Sequence, residues 1–198
     1  MHSTAIERSK ATMQLSDRQR EVVVGTLLGD AHLETKDQGR TYRLKIEHSR
    51  KQRAYVDWLY HEFQSLVRTA PQQRERTVTL KGRTAEYALY WFNTLSLGTF
   101  RFYAQQFYQR KKKLVPRQIG RWLTPLALAV WYMDDGSIKS NAHRTVLLNT
   151  HAFDAGSLQR LQAALLQRYG VHATLRKQRE GTQLYVGAAS ADAFLNVI

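Results

Sequence analysis

Two stretches of the chain are apolar on almost every side, and both end in acid beside glycine. They read RQREVVVGTLLGD (Arg18–Asp30) and TPLALAVWYMDDG (Thr124–Gly136). Ser16 or Asp17 is suited to cap the first as a helix, and Pro125 suits the first turn of the second. A helix that is apolar all round must be buried on most sides. The pattern therefore predicts two buried helices whose C-terminal ends carry carboxylates.

Segments of alternating polarity follow each of these helices. In TYRLKIEH (residues 41–48), the apolar positions 42, 44 and 46 share one face and charged residues occupy the other, which is typical of a strand with one buried face. After the first helix we predict strands at 31–35 and 41–48, a helix at 51–67, a hairpin turning at 81–83 and a helix at 93–109. After the second we predict strands at 137–139 and 144–150, a helix at 154–169, a hairpin turning at 180–181 and a helix from 190.

The same order of elements thus occurs twice, and several of them recur at nearly the same offset. An internal repeat of this kind predicts an α+β fold of two pseudo-symmetric αββαββα halves with antiparallel sheets. We place a tail at 1–16, the first half at 17–110, a basic linker at 111–123 and the second half at 124–198.

Glycines lie inside the first buried helix. Gly25 and Gly29 are four residues apart and so share one face, although each weakens a helix by about 1 kcal/mol relative to alanine. Close approach of the second helix, with Val130 at the contact, would compensate for that cost. For Gly29 taken alone, a break from helix into loop explains the residue equally well.

The charge of the chain predicts a polyanionic partner. Its 198 residues include 30 Lys plus Arg against 16 Asp plus Glu, which gives a net charge of +14. Positive charge on that scale repels itself unless a polyanion neutralises it, which favours nucleic acid as the partner over an anionic membrane. The plainer explanation of the excess charge is that it only keeps the protein soluble. The chain has no cysteine, and we find neither a signal peptide nor a long apolar span. We expect a soluble intracellular protein without membrane contact.

The acids at the helix ends indicate chemistry. A carboxylate at a helix C-terminus opposes the helix dipole, so local stability gives no reason for Asp30 or Asp135. Two carboxylates held close together repel each other unless a cation lies between them, and Mg²⁺ takes carboxylate, water and phosphate oxygens. Such ions support phosphodiester hydrolysis. The seven histidines form no metal-binding cluster, so we expect no histidine site.

The two helix segments, VVGTLLGDA (Val23–Ala31) and LAVWYMDDG (Leu128–Gly136), resemble the paired motifs of LAGLIDADG homing endonucleases of the single-chain type, as does the KKKLVP segment. The resemblance implies motif helices at a central interface and saddle-shaped antiparallel sheets in the DNA major groove. It implies site-specific cleavage of a long double-stranded DNA target with Mg²⁺, for which Mn²⁺ can substitute. We expect a monomer located in a bacterial cytoplasm or an organelle matrix.

The resemblance also implies roles for individual residues. Asp30 and Asp135 are implied as catalytic metal-binding carboxylates, and Lys113 as the basic catalytic residue, with Lys112 as the alternative. A solvated loop that touches phosphate nonspecifically is the plainer interpretation of these lysines. We add Gly29 and Asp134 to the metal site, and we expect Asp134 to face solvent or the other helix rather than bind the ion directly.

Polar residues of the predicted sheets are expected to contact DNA, some reading bases and others neutralising phosphates. In the first half these are Arg40, Arg43, Lys45, Arg74, Arg76, Lys81 and Arg83. In the second half they are Lys139, His143, Arg144, Arg176, Gln178 and Gln183, together with Lys112 of the linker.

Other functions remain compatible with the sequence. An RNA maturase that binds intron RNA, or a DNA-binding protein that does not cut, would share the fold; retention of both acids favours the nuclease. A third alternative, a basic protein that binds a membrane surface, is disfavoured because the sequence predicts no basic amphipathic helix. Members of the family continue past the position of Ile198 and carry a second basic residue there. We therefore expect the second half to be shortened, and the 198-residue chain to bind DNA but cut one strand poorly.

Overall fold

The computed structural model describes residues 10, 12–80, 83–139 and 144–198. The chain forms two compact units. The first contains the described residues up to Gln19 together with Asp30–Phe102, and the second contains Arg20–Gly29 and Tyr103–Ile198. The second unit is therefore built from two separate stretches of chain, because most of the first helix belongs to it.

The first unit contains a four-stranded antiparallel sheet covered by one helix. Its elements are the start of α1 (Asp17–Leu28), β1 (His32–Glu34), β2 (Arg43–Ser49), α2 (Arg53–Glu62), β3 (Gln72–Leu80), β4 (Arg83–Asn93) and the start of α3 (Arg101–Phe107). The strand order is β1-β2-β4-β3. Helix α2 packs on β2, where Leu44 and Ile46 are at most 1% exposed and Val56 and Leu59 are fully buried. This alternation along β2 leaves its charged residues on the other face of the sheet.

The second unit contains a sheet of the same topology. Its elements are the remainder of α1 and of α3, followed by β5 (Tyr108–Gln109), β6 (Lys112–Lys113), α4 (Ile119–Trp122), α5 (Pro125–Asp135), β7 (Gly136–Ile138), β8 (Val146–Leu148), α6 (Ala155–Tyr169), β9 (Ala173–Lys177), β10 (Thr182–Val186) and α7 (Ala188–Leu195). The strand order is β7-β8-β10-β9, and every pairing is antiparallel. The predicted α+β class and the repeated αββαββα order are thus confirmed.

Capping residues set the starts of the helices in this unit. Thr124 accepts a hydrogen bond from the Ala127 amide at the start of α5, and Asp154 accepts one from Ser157 at the start of α6. Helix α6 ends at Gly170, whose φ of 64° is in the left-handed region that favours glycine. Among the described helices, none has the length and apolar character needed to cross a membrane.

The helix predicted at 93–109 is wrong over its first half. Strand β4 continues to Asn93, and a 3-10 turn at Gly98–Phe100 precedes the shorter helix α3. The backbones of Tyr42 and Leu97 exchange two hydrogen bonds, and Thr94 accepts one from the Leu44 amide. These hydrogen bonds to β2 and to Tyr42, which lies just before it, keep residues 94–97 extended. The local sequence of residues 93–109 does not indicate these long-range contacts.

Candidate functional site

Two glycines of α1 lie directly against α5 in the second unit. A Cβ added to Gly25 would lie 2.6 Å from both the carbonyl oxygen of Ala127 and Val130 Cβ. One added to Gly29 would overlap the side chain of Asp134. The absence of side chains therefore permits the close approach of the helices, which compensates for the low helix propensity of glycine. Asp134 faces α1, one of the two positions expected for it.

Asp30 follows the C-terminal end of α1 and belongs to the first unit. Its side chain is 51% exposed. It lines an open cavity of about 470 Å³, together with His32, Glu47, Arg76 and Tyr87. A half-exposed carboxylate in a cavity is accessible to a cation or to a phosphate group brought by a ligand.

His48 is a neighbour of Asp30 that the sequence analysis missed as part of this site. Its Nδ1 lies 3.6 Å from Asp30 Oδ2, and its side chain is only 3% exposed. Burial lowers the pKa of His48, against the opposing effect of the Asp30 charge, so the imidazole is neutral at pH 7. The signal was present, because position 48 continues the buried face of Leu44 and Ile46.

Asp135, the last residue of α5, is held through its backbone. Its carbonyl oxygen accepts a hydrogen bond of 3.0 Å from the Asn149 amide. The side chain of Asn149 in turn accepts a 2.8 Å hydrogen bond from Gln183, and Gln178 donates to Gln183 over 3.0 Å. A chain of neutral amides therefore connects the β9–β10 hairpin to the second acidic helix end.

The two candidate lysines of β6 point to different surroundings. Lys113 Nζ donates a 2.6 Å hydrogen bond to the carbonyl oxygen of Gly29, the residue before Asp30. The Lys112 side chain is 60% exposed and lies 4.0 Å from Asp154. The geometry therefore favours Lys113 over Lys112 as the basic residue of the site. The hydrogen bond from Lys113 also engages the Gly29 carbonyl oxygen, which the sequence analysis assigned to the metal site.

The carboxylate of Asp30 fits a hard divalent cation that takes most of its ligands from water and substrate rather than from the protein. Across the described ranges, no group of three or more His, Cys, Asp or Glu residues is placed to hold a metal. Mg²⁺ commonly binds one or two carboxylates and fills its other positions with water and substrate phosphate. The accessible carboxylate of Asp30 suits that mode of binding.

Most DNA-contacting residues predicted in the first half lie on the sheet face opposite the core. The cross-strand partners His32–Lys45, Glu34–Arg43 and Arg76–Tyr87 place these side chains on one surface. Arg40 lies outside the sheet, where its Nε donates to the Asp37 carbonyl over 3.3 Å. Lys81 lies outside the described residues, and Arg83 is described only as part of the β4 backbone.

The second-half predictions are placed less uniformly. Arg176 lies over the ring of Tyr185 at 3.5 Å, Lys139 is exposed, and Arg144 pairs with Asp192 at 3.0 Å. Gln183 differs from the prediction: it is 6% exposed, and its amide bonds to Asn149 and Gln178 rather than facing solvent. The alternation of polar and apolar residues did not predict the exposure of Gln183, because this polar residue occupies a buried position of β10. His143 lies outside the described residues.

Comparison with known proteins agrees with this architecture. The sequence profile of the LAGLIDADG DNA endonuclease family matches residues 20–194. DNA endonuclease I-ChuI of Chlamydomonas applanata is 32% identical over 198 residues, covering 94% of this chain and 91% of that protein. The chain therefore belongs to the LAGLIDADG DNA endonuclease family.

Solved structures and a further relative extend the comparison. The homing endonuclease I-WcaI, bound to its DNA recognition sequence, matches all of this chain and 88% of its own with a TM-score of 0.88 at 22% identity. I-DmoI in complex with DNA and Mn matches 90% of this chain and 94% of its own with a TM-score of 0.52 at 16% identity. Cytochrome b mRNA maturase bI2 of Saccharomyces cerevisiae is 26% identical over 83% of this chain, which spans only 40% of that protein. At these identities the structures establish the fold.

Proposed function

We propose that this chain is a site-specific endonuclease that hydrolyses phosphodiester bonds in a long double-stranded DNA target with a divalent metal ion, Mg²⁺ or Mn²⁺. The observation that carries the proposal is the first acidic helix end: the half-exposed Asp30 carboxylate follows a peptide whose carbonyl accepts from Lys113. The charge of +14 supplies attraction for a polyanionic substrate. One chain carries both acids, so it acts as a monomer.

Each proposed residue has a distinct task. Asp30 and Asp135 would hold the metal ions, which activate water and stabilise charge on the departing oxygen. Lys113 would place its positive charge beside the reacting phosphate and orient the attacking water. Asp134, which packs on Gly29, would fix the spacing of the helices. Basic residues of the sheet faces would bind bases and phosphates along the target.

The test begins with selection of a cleavable target from a randomised duplex library. A plasmid carrying that target is then incubated with Mg²⁺ and wild type, Asp30→Asn or Asp135→Asn. We expect each substitution to lower cleavage by about 100-fold or more while DNA binding changes little, since the loss is of transition-state stabilisation. Cutting by both variants at the wild-type rate would overturn the assignment.

RNA binding is the second candidate, and the similarity to a cytochrome b mRNA maturase is the observation that favours it. A maturase and a nuclease differ in what they bind best. Titration of the chain with a structured intron RNA and with the selected DNA duplex, at one salt concentration, separates the two. Tighter binding of the RNA would favour the maturase.

A further inference from the structure

The face of the first sheet that is turned away from the core carries acids among its cations. We call this surface, consisting of the outward residues of β1–β4, the open face. Its charged members with described side chains are of both signs. They are Glu34, Arg43, Lys45, Glu47, Arg74 and Arg76. The cations are expected on a DNA-binding surface, but the two acids are not, because each repels phosphate.

Both acids are engaged with the cations that the sequence predicts as DNA contacts. Arg43 Nε donates to Glu34 Oε2 over 2.5 Å, and Lys45 Nζ lies 3.8 Å from Glu34 Oε1. Glu47 forms an ion pair with Arg74. The hydrogen bond from Arg43 lowers the pKa of Glu34, so this acid is ionised at neutral pH. Three cations of the open face thus already have carboxylate partners when no DNA is bound.

These pairs surround a recess in the surface. A cavity of about 320 Å³ is lined by Arg43, Lys45, Glu47, Arg74, Trp91 and Asn93, among others. The guanidinium of Arg74 also lies 5.9 Å above the Trp91 ring. The side chains are therefore oriented before any ligand arrives, which lowers the entropy lost on binding.

Fold stability gives little reason for the acids. The side chains of Glu34 and Glu47 are 34% and 31% exposed, and their partners are between 27% and 53% exposed. Ion pairs as open to solvent as these contribute little to folding. Their effect on a ligand is larger, since any phosphate must compete with a carboxylate for each cation.

We propose that Glu34 and Glu47 determine which DNA sequences this face accepts, an inference that rests on the proposed function. Each acid withholds its cations from phosphate on an unmatched duplex. On a matched duplex the arginine turns to a guanine, and the carboxylate accepts a hydrogen bond from the amino group of a nearby cytosine. An unmatched sequence leaves a desolvated carboxylate without a donor, which penalises binding.

The second unit supplies an internal contrast. Its strands β7–β10 contain no acidic residue, and the cation of Arg176 lies over the Tyr185 ring instead of a carboxylate. The strands of the second sheet therefore offer no carboxylate for such discrimination, and the ion pair of Arg144 with Asp192 lies outside them.

The experiment measures the affinity of the full chain for a target selected from a randomised library and for a scrambled duplex, across a salt series. The variants are Glu34→Gln and Glu47→Gln. The matched control is Glu75→Gln, because Glu75 adjoins Arg74 on β3, pairs in register with Ala88 and lies on the opposite face of the sheet. All three substitutions raise the net charge equally.

We expect Glu34→Gln and Glu47→Gln to tighten binding of the scrambled duplex by about 5- to 10-fold near 0.1 M salt. The slope of log K against log salt should steepen by about 0.9 for each cation released to a phosphate. Affinity for the target should change less, so the specificity ratio falls. The affinity of the Glu75→Gln control for the scrambled duplex should stay within about twofold of wild type, and its salt slope should be unchanged.

A second arm tests base reading directly. If the acid accepts a hydrogen bond from cytosine, replacing one C·G pair beneath the first sheet by T·A should weaken DNA binding by wild type about 10-fold. The same replacement should weaken binding by Glu34→Gln or Glu47→Gln by less than twofold. Equal losses in wild type and variants, or a Glu75→Gln effect as large as the others, would overturn the inference. Failure of wild type to select any sequence would instead overturn the proposed function.

Discussion

The two acidic helix ends are held in place by different kinds of group. At the first, the Gly29 carbonyl accepts from the ammonium of Lys113, and Asp30 adjoins the buried imidazole of His48. At the second, the Asp135 carbonyl accepts from a backbone amide, and the support behind it is the side-chain amide pair Asn149–Gln183. Similar motif sequences are thus contacted by a lysine and a histidine at one end, and by a backbone amide next to a pair of side-chain amides at the other. We expect substitution of Lys113, which contacts the first end, to affect cleavage, and substitution of Asn149, which contacts the second, to affect stability.

Substitution of Lys113 should have the largest effect. Lys113→Met removes the only charge of the side chain and keeps much of its length. We expect cleavage of a selected target to fall about 100-fold or more, with DNA affinity within about threefold, since the ammonium acts on the transition state. Single-turnover cleavage and equilibrium binding measure the two quantities.

Lys112→Met is the matched control, because its side chain is 60% exposed and directed towards Asp154. We expect less than a threefold loss of cleavage. Equal losses from the two substitutions would remove the distinction between these lysines, and a loss confined to binding would assign Lys113 to phosphate contact alone.

At the second end, Asn149→Ala should lower the free energy of unfolding by about 1–3 kcal/mol. The substitution leaves the buried amide of Gln183, 6% exposed, without the acceptor it now has. Asn149→Asp retains an acceptor at the same place and should recover part of the loss. Urea unfolding measures both variants, and an unchanged midpoint for Asn149→Ala would mean that the amide chain does not support this end.

The contact between α1 and α5 should resist enlargement of Gly25. A Cβ there meets Ala127 and Val130 at 2.6 Å, so we expect Gly25→Ala to destabilise by about 1–3 kcal/mol despite the better helix propensity of alanine. Gly120→Ala in α4 is the control, because an added Cβ there meets nothing within 4 Å. Thermal unfolding that ranks Gly25→Ala at or above wild type would contradict the close contact.

The sequence predicts those features that depend on local pattern. The buried helices, the strand alternation of β2 and the repeated order follow from periodicity, and the family motif carries Asp30, Asp135 and the lysine segment. What it misses depends on contacts between distant residues. Residues 94–97 are extended because they pair with residues near β2, and Gln183 is buried because Asn149 accepts its amide. A two-residue strand is too short for its alternation to distinguish Lys113 from Lys112.

The smallest expected effect concerns the support of Lys113 and its dependence on pH. The segment after Lys113 is anchored to α6, since the Val115 amide donates to Ser157 Oγ over 3.0 Å. Asp154 caps that helix, and its hydrogen bonds with Ser157 lower the pKa of the carboxyl. A lowered pKa means that the charged form stabilises the folded state above the unfolded pKa of about 3.9 and that this contribution is lost as the pH falls through the folded value.

Asp154→Asn keeps a capping side chain but removes the charge. We expect it to cost about 0.3–0.5 kcal/mol at pH 7, a small value because the group is 39% exposed and solvent screens it. The difference from wild type should shrink as the pH falls through the folded pKa of Asp154, because its carboxyl then becomes neutral like the amide of the variant. Asp192→Asn, which removes a charge 63% exposed on α7, is the control. A deficit for Asp154→Asn that does not shrink as the pH falls through that pKa would assign the effect to the shape of the cap rather than to its charge.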